Sequence, residues 1–244
     1  MKQTLNLALL FILLNSCSLE MKTDELLFHP ISHGSFIIEH GEEIIYIDPV
    51  GKIEDFKDFK KPTLIMITDI HGDHLNVETL QNISNPNVTF LIPEAVNQRL
   101  NESIEGKRII IKNGETKTIN GMDIEAIPMY NLREEALKFH EKGRGNGYII
   151  NRNKTRVYIS GDTEDIPEMR ALKNIDIAFV CMNLPWTMTV ESAADAILEF
   201  KPRQVFPYHY RGIEGFSDIN QFKSLINSKN NTIDVKLLDW YSER

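Results

Sequence analysis

Four consecutive apolar residues, Leu64-Ile65-Met66-Ile67, run into Thr68-Asp69-Ile70-His71-Gly72-Asp73-His74. A short apolar run without alternation reads as a β-strand buried on both faces. Such a strand needs a covering layer on each side, which restricts the chain to layered architectures. Asp69, His71, Asp73 and His74 follow within six positions, beside a glycine that lets the backbone turn. Imidazole and carboxylate groups delivered together from a strand end suit Zn²⁺, Mn²⁺ or Fe²⁺. A single histidine there would be better explained as part of a solvated acidic turn. Four donors in one loop favour metal ligation.

The rest of the chain repeats the β pattern with helices interleaved. Phe36 to Ile38 and Ile44 to Ile47 flank His40-Gly41-Glu42-Glu43, which predicts a hairpin. Val88 to Ile92, Arg108 to Ile111, Met122 to Ile127, Tyr148 to Ile150, Val157 to Ile159 and Ile175 to Cys181 read as further strands. Val190, Ala193, Ala194 and Ile197 fall on one helical face behind Thr189 as N-cap, and Ile219, Phe222 and Ile226 mark a second helix. Asn76 to Ile83 and Glu94 to Leu100 also read as helical. No linker divides residues 25–244, so an α/β (α+β) arrangement of two sheets flanked by helices in a single domain is expected. Lys and Arg number 27 against 35 Asp and Glu, a formal charge of -8, which argues against nucleic acid as a partner. The only cysteines, Cys17 and Cys181, cannot build a disulfide framework or a cysteine zinc site, so metal chemistry has to be sought among the seven histidines.

Residues 1–20 read as an address. Lys2 precedes the apolar run Leu5 to Leu14, which is too short to span a bilayer and suits a signal-peptide core. It ends at Leu14-Asn15-Ser16-Cys17, similar to a bacterial lipoprotein cleavage box. Export and attachment to a membrane through lipidated Cys17, on the periplasmic side, is the expectation. Translation from Met21 would instead leave a cytoplasmic protein.

The loop at Asp69 to His74, set after a buried strand, resembles the His-x-His-x-Asp-His signature of the metallo-β-lactamase superfamily, with Asp69 in place of the first histidine. The resemblance extends over the chain after residue 25 and is closest to the ascorbate-6-phosphate lactonase type of metal-dependent hydrolase. It implies an αββα sandwich with metals at one edge between the sheets. Carried over by position, Asp162 in Ser160-Gly161-Asp162-Thr163 is the expected bridging carboxylate, and His209 in Tyr208-His209-Tyr210-Arg211 the last histidine ligand. The middle histidine corresponds to His140, with Asn131 as the alternative donor. The implied centre has Asp69, His71 and His140 on one ion and Asp73, His74 and His209 on the other. Zinc is the first expectation, and the Asp69 carboxylate makes Mn²⁺ or Fe²⁺ credible.

The implied reaction is hydrolysis of a small anionic ester, lactone or phosphoester by a hydroxide held between the ions. Asp73 would orient the water, and His33, Tyr208 and Tyr210 are candidates to supply a proton or hydrogen bond. Lys142 and Arg144, in a glycine-rich basic turn, and Arg211 are candidate contacts for substrate charge. Trp186 and Met188 could wall an apolar pocket or belong to the core. His29 and His40 read as surface or core polar residues. The alternative functions are a phospholipid-type phosphodiesterase and a lipid-anchored metal-binding protein without catalysis.

Overall fold

The computed structural model describes residues 26–241. The leader and Cys17 lie outside the described residues. Six strands form the first sheet in sequential order: β1 (Leu26–Ser32), β2 (Ser35–His40), β3 (Glu43–Ile47), β4 (Leu64–Met66), β5 (Thr89–Ile92) and β6 (Lys107–Ile110). The β1–β2 and β2–β3 pairs are antiparallel and the remainder parallel. The expected hairpin is β2–β3, with Phe36 opposite Ile47 and His40 opposite Glu43.

The second half supplies β7 (Thr116–Ile119), β8 (Met122–Met129), β9 (Gly145–Arg152), β10 (Thr155–Ile159), β11 (Ile177–Cys181) and β12 (Gln204–Tyr208). A small hairpin, β13 (Arg211–Gly212) with β14 (Gly215–Phe216), follows, and β15 (Asp234–Val235) completes the second sheet beside β12. The order is β15-β12-β11-β10-β9-β8-β7, parallel from β15 to β10 and antiparallel from β10 to β7.

Strand alternation divides the core. Phe36, Ile38, Ile45, Ile47, Leu64, Met66 and Leu91 turn inward toward the second sheet. Ile37, Ile44, Tyr46, Ile65, Ile67, Phe90 and Ile92 turn outward beneath α1 (Val77–Ile83) and α2 (Glu94–Asn97). Leu64 to Ile67 therefore contribute to both layers, as an unalternated apolar run requires. Phe36 stacks on Phe179 at 4.5 Å and Phe179 on Phe206 at 4.9 Å, joining the sheets through an aromatic stack. On the outer face of the second sheet lie α3 (Pro167–Arg170), α4 (Val190–Phe200) and α5 (Ile219–Lys229). Thr189 caps α4 by accepting the Ser192 N–H, and Asp218 caps α5. The result is the expected αββα sandwich. Among the described residues no helix is long and apolar enough to cross a membrane.

Two features lock the sheets together where the metal-type loop leaves β4. Asn146 N–H on β9 donates to Thr68 O at 3.0 Å, and the Tyr148 hydroxyl donates to Ile67 O at 2.8 Å. Glycines permit this approach: a Cβ on Gly145 would sit 2.6 Å from Thr68 O, and one on Gly161 (φ 62°) 2.6 Å from Met129 Sδ.

Candidate metal centre

The loop after β4 reverses at once, with His74 N–H and Leu75 N–H both donating to His71 O. That turn sends Asp69 and His71 to one side and Asp73 and His74 to the other. Asn76 ends it by capping α1 through the Thr79 N–H. Asp162 arrives from the end of β10 across Gly161, and His209 from the end of β12 in a left-handed conformation (φ 45°) that an L-residue adopts only at a cost of about 1–2 kcal/mol. His140 is carried by the segment between β8 and β9.

These side chains converge in two groups. Asp69, His71 and His140 present donor atoms within 4.8 Å of one another, as do Asp73, His74 and His209. Asp162 lies between the groups. Its Oδ2 is 3.3 Å from both His74 Nε2 and His140 Nε2, and its Oδ1 is 3.4 Å from His209 Nε2. His209 Nε2 is 3.3 Å from Asp73 Oδ2. Donors bound to zinc at about 2.0–2.2 Å stand about 3.3–3.6 Å apart along a tetrahedral edge, so these spacings match a shared ion shell. Asp69 Oδ2 lies 3.9 Å from His140 Nε2 but only 2.6 Å from His71 Nδ1, a hydrogen-bond distance.

The tautomers are fixed from behind. His74 Nδ1 lies 2.8 Å from Asp48 Oδ2, and a carboxylate only accepts, so Nδ1 carries a proton and Nε2 is the nitrogen left facing Asp162. Asp48 is itself held by the Thr68 N–H and hydroxyl, both at 2.6 Å. His140 Nδ1 donates to the Trp186 carbonyl at 3.2 Å, leaving its Nε2 free in the same way. Asn131 also holds this corner: its amide N–H donates to the Ala136 and Trp186 carbonyls, while its Oδ1 is buried without a hydrogen-bond partner.

Charge in the centre is unbalanced. Burial disfavours a charged His74, yet Asp162, Asp48 and Asp73 hold its pKa well above the usual histidine value. Asp162 is buried, which would raise its pKa, but His209 and His74 carry it well below the ordinary carboxylate range. Asp73 is lowered against the same burial effect, chiefly by His74 and by a hydrogen bond from His209. Asp69 is lowered by His71, His74 and Arg144. Three carboxylates closing on one buried imidazole make a negative field that also attracts a divalent cation. His74 Nε2 and Asp162 Oδ1 are buried without a hydrogen-bond partner and face the middle of the cluster. Such orphaned atoms are costly unless an ion takes them, so the donor set fits a metal.

The centre opens into a cleft of about 330 Å³ lined by His71, Asp73, Phe139, His140, Asp162, Asn183 and Trp186. His71 and Asp73 are about two-fifths exposed, whereas His74, His140, Asp162 and His209 are buried. Trp186 and Phe139 form the aromatic walls. Asn183 Nδ2 points at Asp162 Oδ2 (3.5 Å) and His209 Nε2 (3.4 Å). His33 (φ 51°) sets its ring edge-on to His209 at 5.6 Å, beside the second group. A larger groove, of about 610 Å³, borders the β13–β14 hairpin and contains none of these donors.

Several expected contacts lie elsewhere. The Tyr208 side chain is fully buried, its hydroxyl accepting the Gly161 N–H, and burial pushes its pKa well above the ordinary value, so it offers no proton to the cleft. Tyr210 packs against Tyr241 and Phe216 outside the cleft. Lys142 donates to Glu168 at 2.7 Å and lies over the Tyr130 ring, and it does not line the cleft. Arg144 is taken up by Asp69, with Nε to Oδ1 at 3.1 Å and Nη2 to Oδ2 at 3.0 Å. The Arg211 guanidinium rests 6.0 Å from the centroid of the Phe216 ring. Met188 is buried in the core. His29 pairs with Glu39, and His40 is buried at the end of β2. Asp48, Asn183 and Phe139 were not anticipated. Asp48 alone left a sequence trace, an acid directly ending the apolar strand Ile44 to Ile47.

Comparison with known proteins accords with this geometry. The profile of the β-lactamase superfamily domain matches residues 29–209. A UPF0173 metal-dependent hydrolase of Pyrococcus abyssi is 29% identical over 220 residues, spanning 84% of this chain and 94% of its own. A UPF0173 metal-dependent hydrolase of Nanoarchaeum equitans is 30% identical over 193 residues, spanning 74% of this chain and 81% of its own. The crystal structure of a protein from Parabacteroides distasonis, provisionally assigned as a metal-dependent hydrolase, superposes with a TM-score of 0.78 at 40% identity, covering 87% of this chain and 92% of that one. A profile match over most of the polypeptide and relatives aligned over most of their length lead to one assignment: the chain belongs to the β-lactamase superfamily, alongside the UPF0173 metal-dependent hydrolases.

Proposed function

We infer that this metal-dependent hydrolase of the β-lactamase superfamily acts with two divalent ions on a small ester, lactone or phosphoester. The observation that carries the reading is Asp162, whose two oxygens reach His74, His140 and His209 at 3.3–3.4 Å and so touch both donor groups at once. Asp69, His71 and His140 would hold one ion, and Asp73, His74 and His209 the other. Mixed imidazole and carboxylate ligands suit zinc first, with Mn²⁺ and Fe²⁺ also compatible. Bound there, such a pair supplies Lewis acidity to a carbonyl or phosphoryl oxygen and lowers the pKa of water from 15.7 to about 7.

The chain's own residues do the rest. Asp73, partly open to the cleft, orients an attacking water by accepting its hydrogen bond. Asn183 Nδ2 is placed to donate to an oxygen that gains charge. Phe139 and Trp186 exclude water and favour a flat or apolar substituent. Lys142 and Arg144 are already paired with Glu168 and Asp69, so negative charge on the substrate is met chiefly at the ions. His33, edge-on to His209, is the remaining proton donor near the site. Lipidation at Cys17 would present the enzyme at a membrane surface, and mass spectrometry of the mature N-terminus tests that address.

The direct test is metal content by elemental analysis, with turnover of lactones, carboxylesters, phosphomonoesters and phosphodiesters measured in Zn²⁺, Mn²⁺ and Fe²⁺. Metal-dependent hydrolysis of a small ester, lactone or phosphoester supports the reading. Turnover confined to lipid phosphodiesters replaces the substrate class. An inert protein holding one ion would favour a binding role instead.

A further inference from the structure

The two donor groups differ in charge. Around Asp73, His74 and His209 stand Asp73 itself, Asp162, and Asp48 behind His74. Around Asp69, His71 and His140 the only carboxylate among the described residues of the donor groups, besides the shared Asp162, is Asp69, and a guanidinium pairs with it. Arg144 grips both Asp69 oxygens, through Nε to Oδ1 at 3.1 Å and Nη2 to Oδ2 at 3.0 Å, and is fixed from the other side by donating to the Phe139 carbonyl. Asp69 is wholly buried and the Arg144 side chain only 17% exposed, so water screens this pair little.

The lone pairs give the same result. A carboxylate offers about four acceptor positions, two on each oxygen. Oδ2, the oxygen that faces His140, receives Arg144 Nη2 and also His71 Nδ1 at 2.6 Å. An ion entering this group must compete with His71 for Oδ2 and share Asp69 with Arg144. An ion entering the other group meets His74 Nε2, which Asp48 turns toward the cluster by holding Nδ1.

Building on the metal reading above, we propose that Arg144 makes the centre unequal: Asp73, His74 and His209 fill first and hold their ion tightly, while Asp69, His71 and His140 take a second, exchangeable ion whose affinity Arg144 sets. Arg144 is thus a positioning residue that acts through Asp69, not a substrate contact. The arrangement gives the enzyme one resident ion and one that responds to metal supply.

The test is calorimetric titration of the metal-stripped full chain with Zn²⁺, paired with elemental analysis after gel filtration in metal-free buffer. The wild type is expected to bind in two steps, the second at least about tenfold weaker in line with the 10–100-fold effect of groups behind ligands, and to retain one ion per chain. His71→Ala, at a two-fifths exposed side chain, should abolish the weaker step and leave the tight one. Arg144→Met should bring the two steps to within about threefold of each other, and Arg144→Lys, which keeps the charge, should keep them apart. Two equal steps in the wild type, or loss of the tight step in His71→Ala, would overturn the proposal while leaving the two-ion reading intact. Absence of any Zn²⁺ binding by the wild type would overturn that reading itself. Steps that stay at least about tenfold apart in folded Arg144→Met would also overturn it, and if that variant fails to fold, Arg144→Gln is titrated in its place.

Discussion

Asp48 touches no part of the cleft, yet replacing it with asparagine should disable the metal centre. Its Oδ1 accepts the Thr68 N–H, and its Oδ2 accepts both the Thr68 hydroxyl and His74 Nδ1–H. An asparagine can be placed in two ways. With its oxygen toward the Thr68 N–H, its amide group faces His74 Nδ1, which must then accept; the proton moves to Nε2 and the lone pair aimed at the ion is lost. With the amide reversed, two N–H groups oppose each other at Thr68. Partners of this kind are worth about 10–100-fold in metal affinity, or about 1.4–2.7 kcal/mol. Stability should change less, because burial already holds the Asp48 carboxyl above its ordinary pKa despite His74 and Thr68, and the neutral amide escapes that burial penalty. Isothermal titration with Zn²⁺ and thermal melts of the metal-free protein separate the two effects. A Zn²⁺ affinity within about threefold of wild type, with the fold intact, would refute the argument that Asp48 sets the His74 tautomer.

Asp162→Ala removes the carboxylate common to both groups and should lower turnover by more than the 10–100-fold typical of a supporting residue, while His29→Ala, on a β1 side chain paired with Glu39, should stay close to wild type in rate and melting temperature. Comparable losses in both folded variants would contradict that ranking. Acidification should destabilise the metal-free protein below about pH 4: Asp69, Asp73 and Asp162 have folded-state values below the unfolded value of about 3.9, so their contribution is complete above that value and disappears as the pH falls through the folded ones. Denaturant melts at pH 7, 4 and 3 check this, and unchanged stability across that range counts against it.

Local chemistry made much of the fold legible. Leu64 to Ile67 predicted a doubly covered strand because nothing polar interrupts them, and Thr189 marked the start of α4 because its hydroxyl can satisfy an open N–H. β7, reading Thr-Lys-Thr-Ile, stayed hidden because an edge strand with little buried surface carries a weak periodic signal. At the site, the compact loop announced itself, whereas Asp162 and His209 were placed by the family resemblance. The fate of Arg144 and Lys142 was not legible. Their partners, Asp69 and Glu168, lie 75 and 26 positions away, and only the closed sandwich brings them together. Basic residues in a glycine-rich turn looked free because a sequence shows charge and not its neutralisation. Tyr208 was misread for a related reason: adjacency to His209 along a strand puts it on the opposite face, in the core.

The seam made by Asn146, Tyr148, Thr68 and Ile67 ties the base of the ligand loop to the neighbouring layer before any ion arrives. The position of that loop is therefore inherited from contacts between the layers, whereas Phe139 and Trp186 support Arg144 and His140 through their backbone carbonyls and leave their rings to wall the cleft. Evolution, or an engineer, can exchange those rings for a new substrate without removing a hydrogen bond that supports the donor groups, because each of the two bonds is made by a carbonyl that any residue carries.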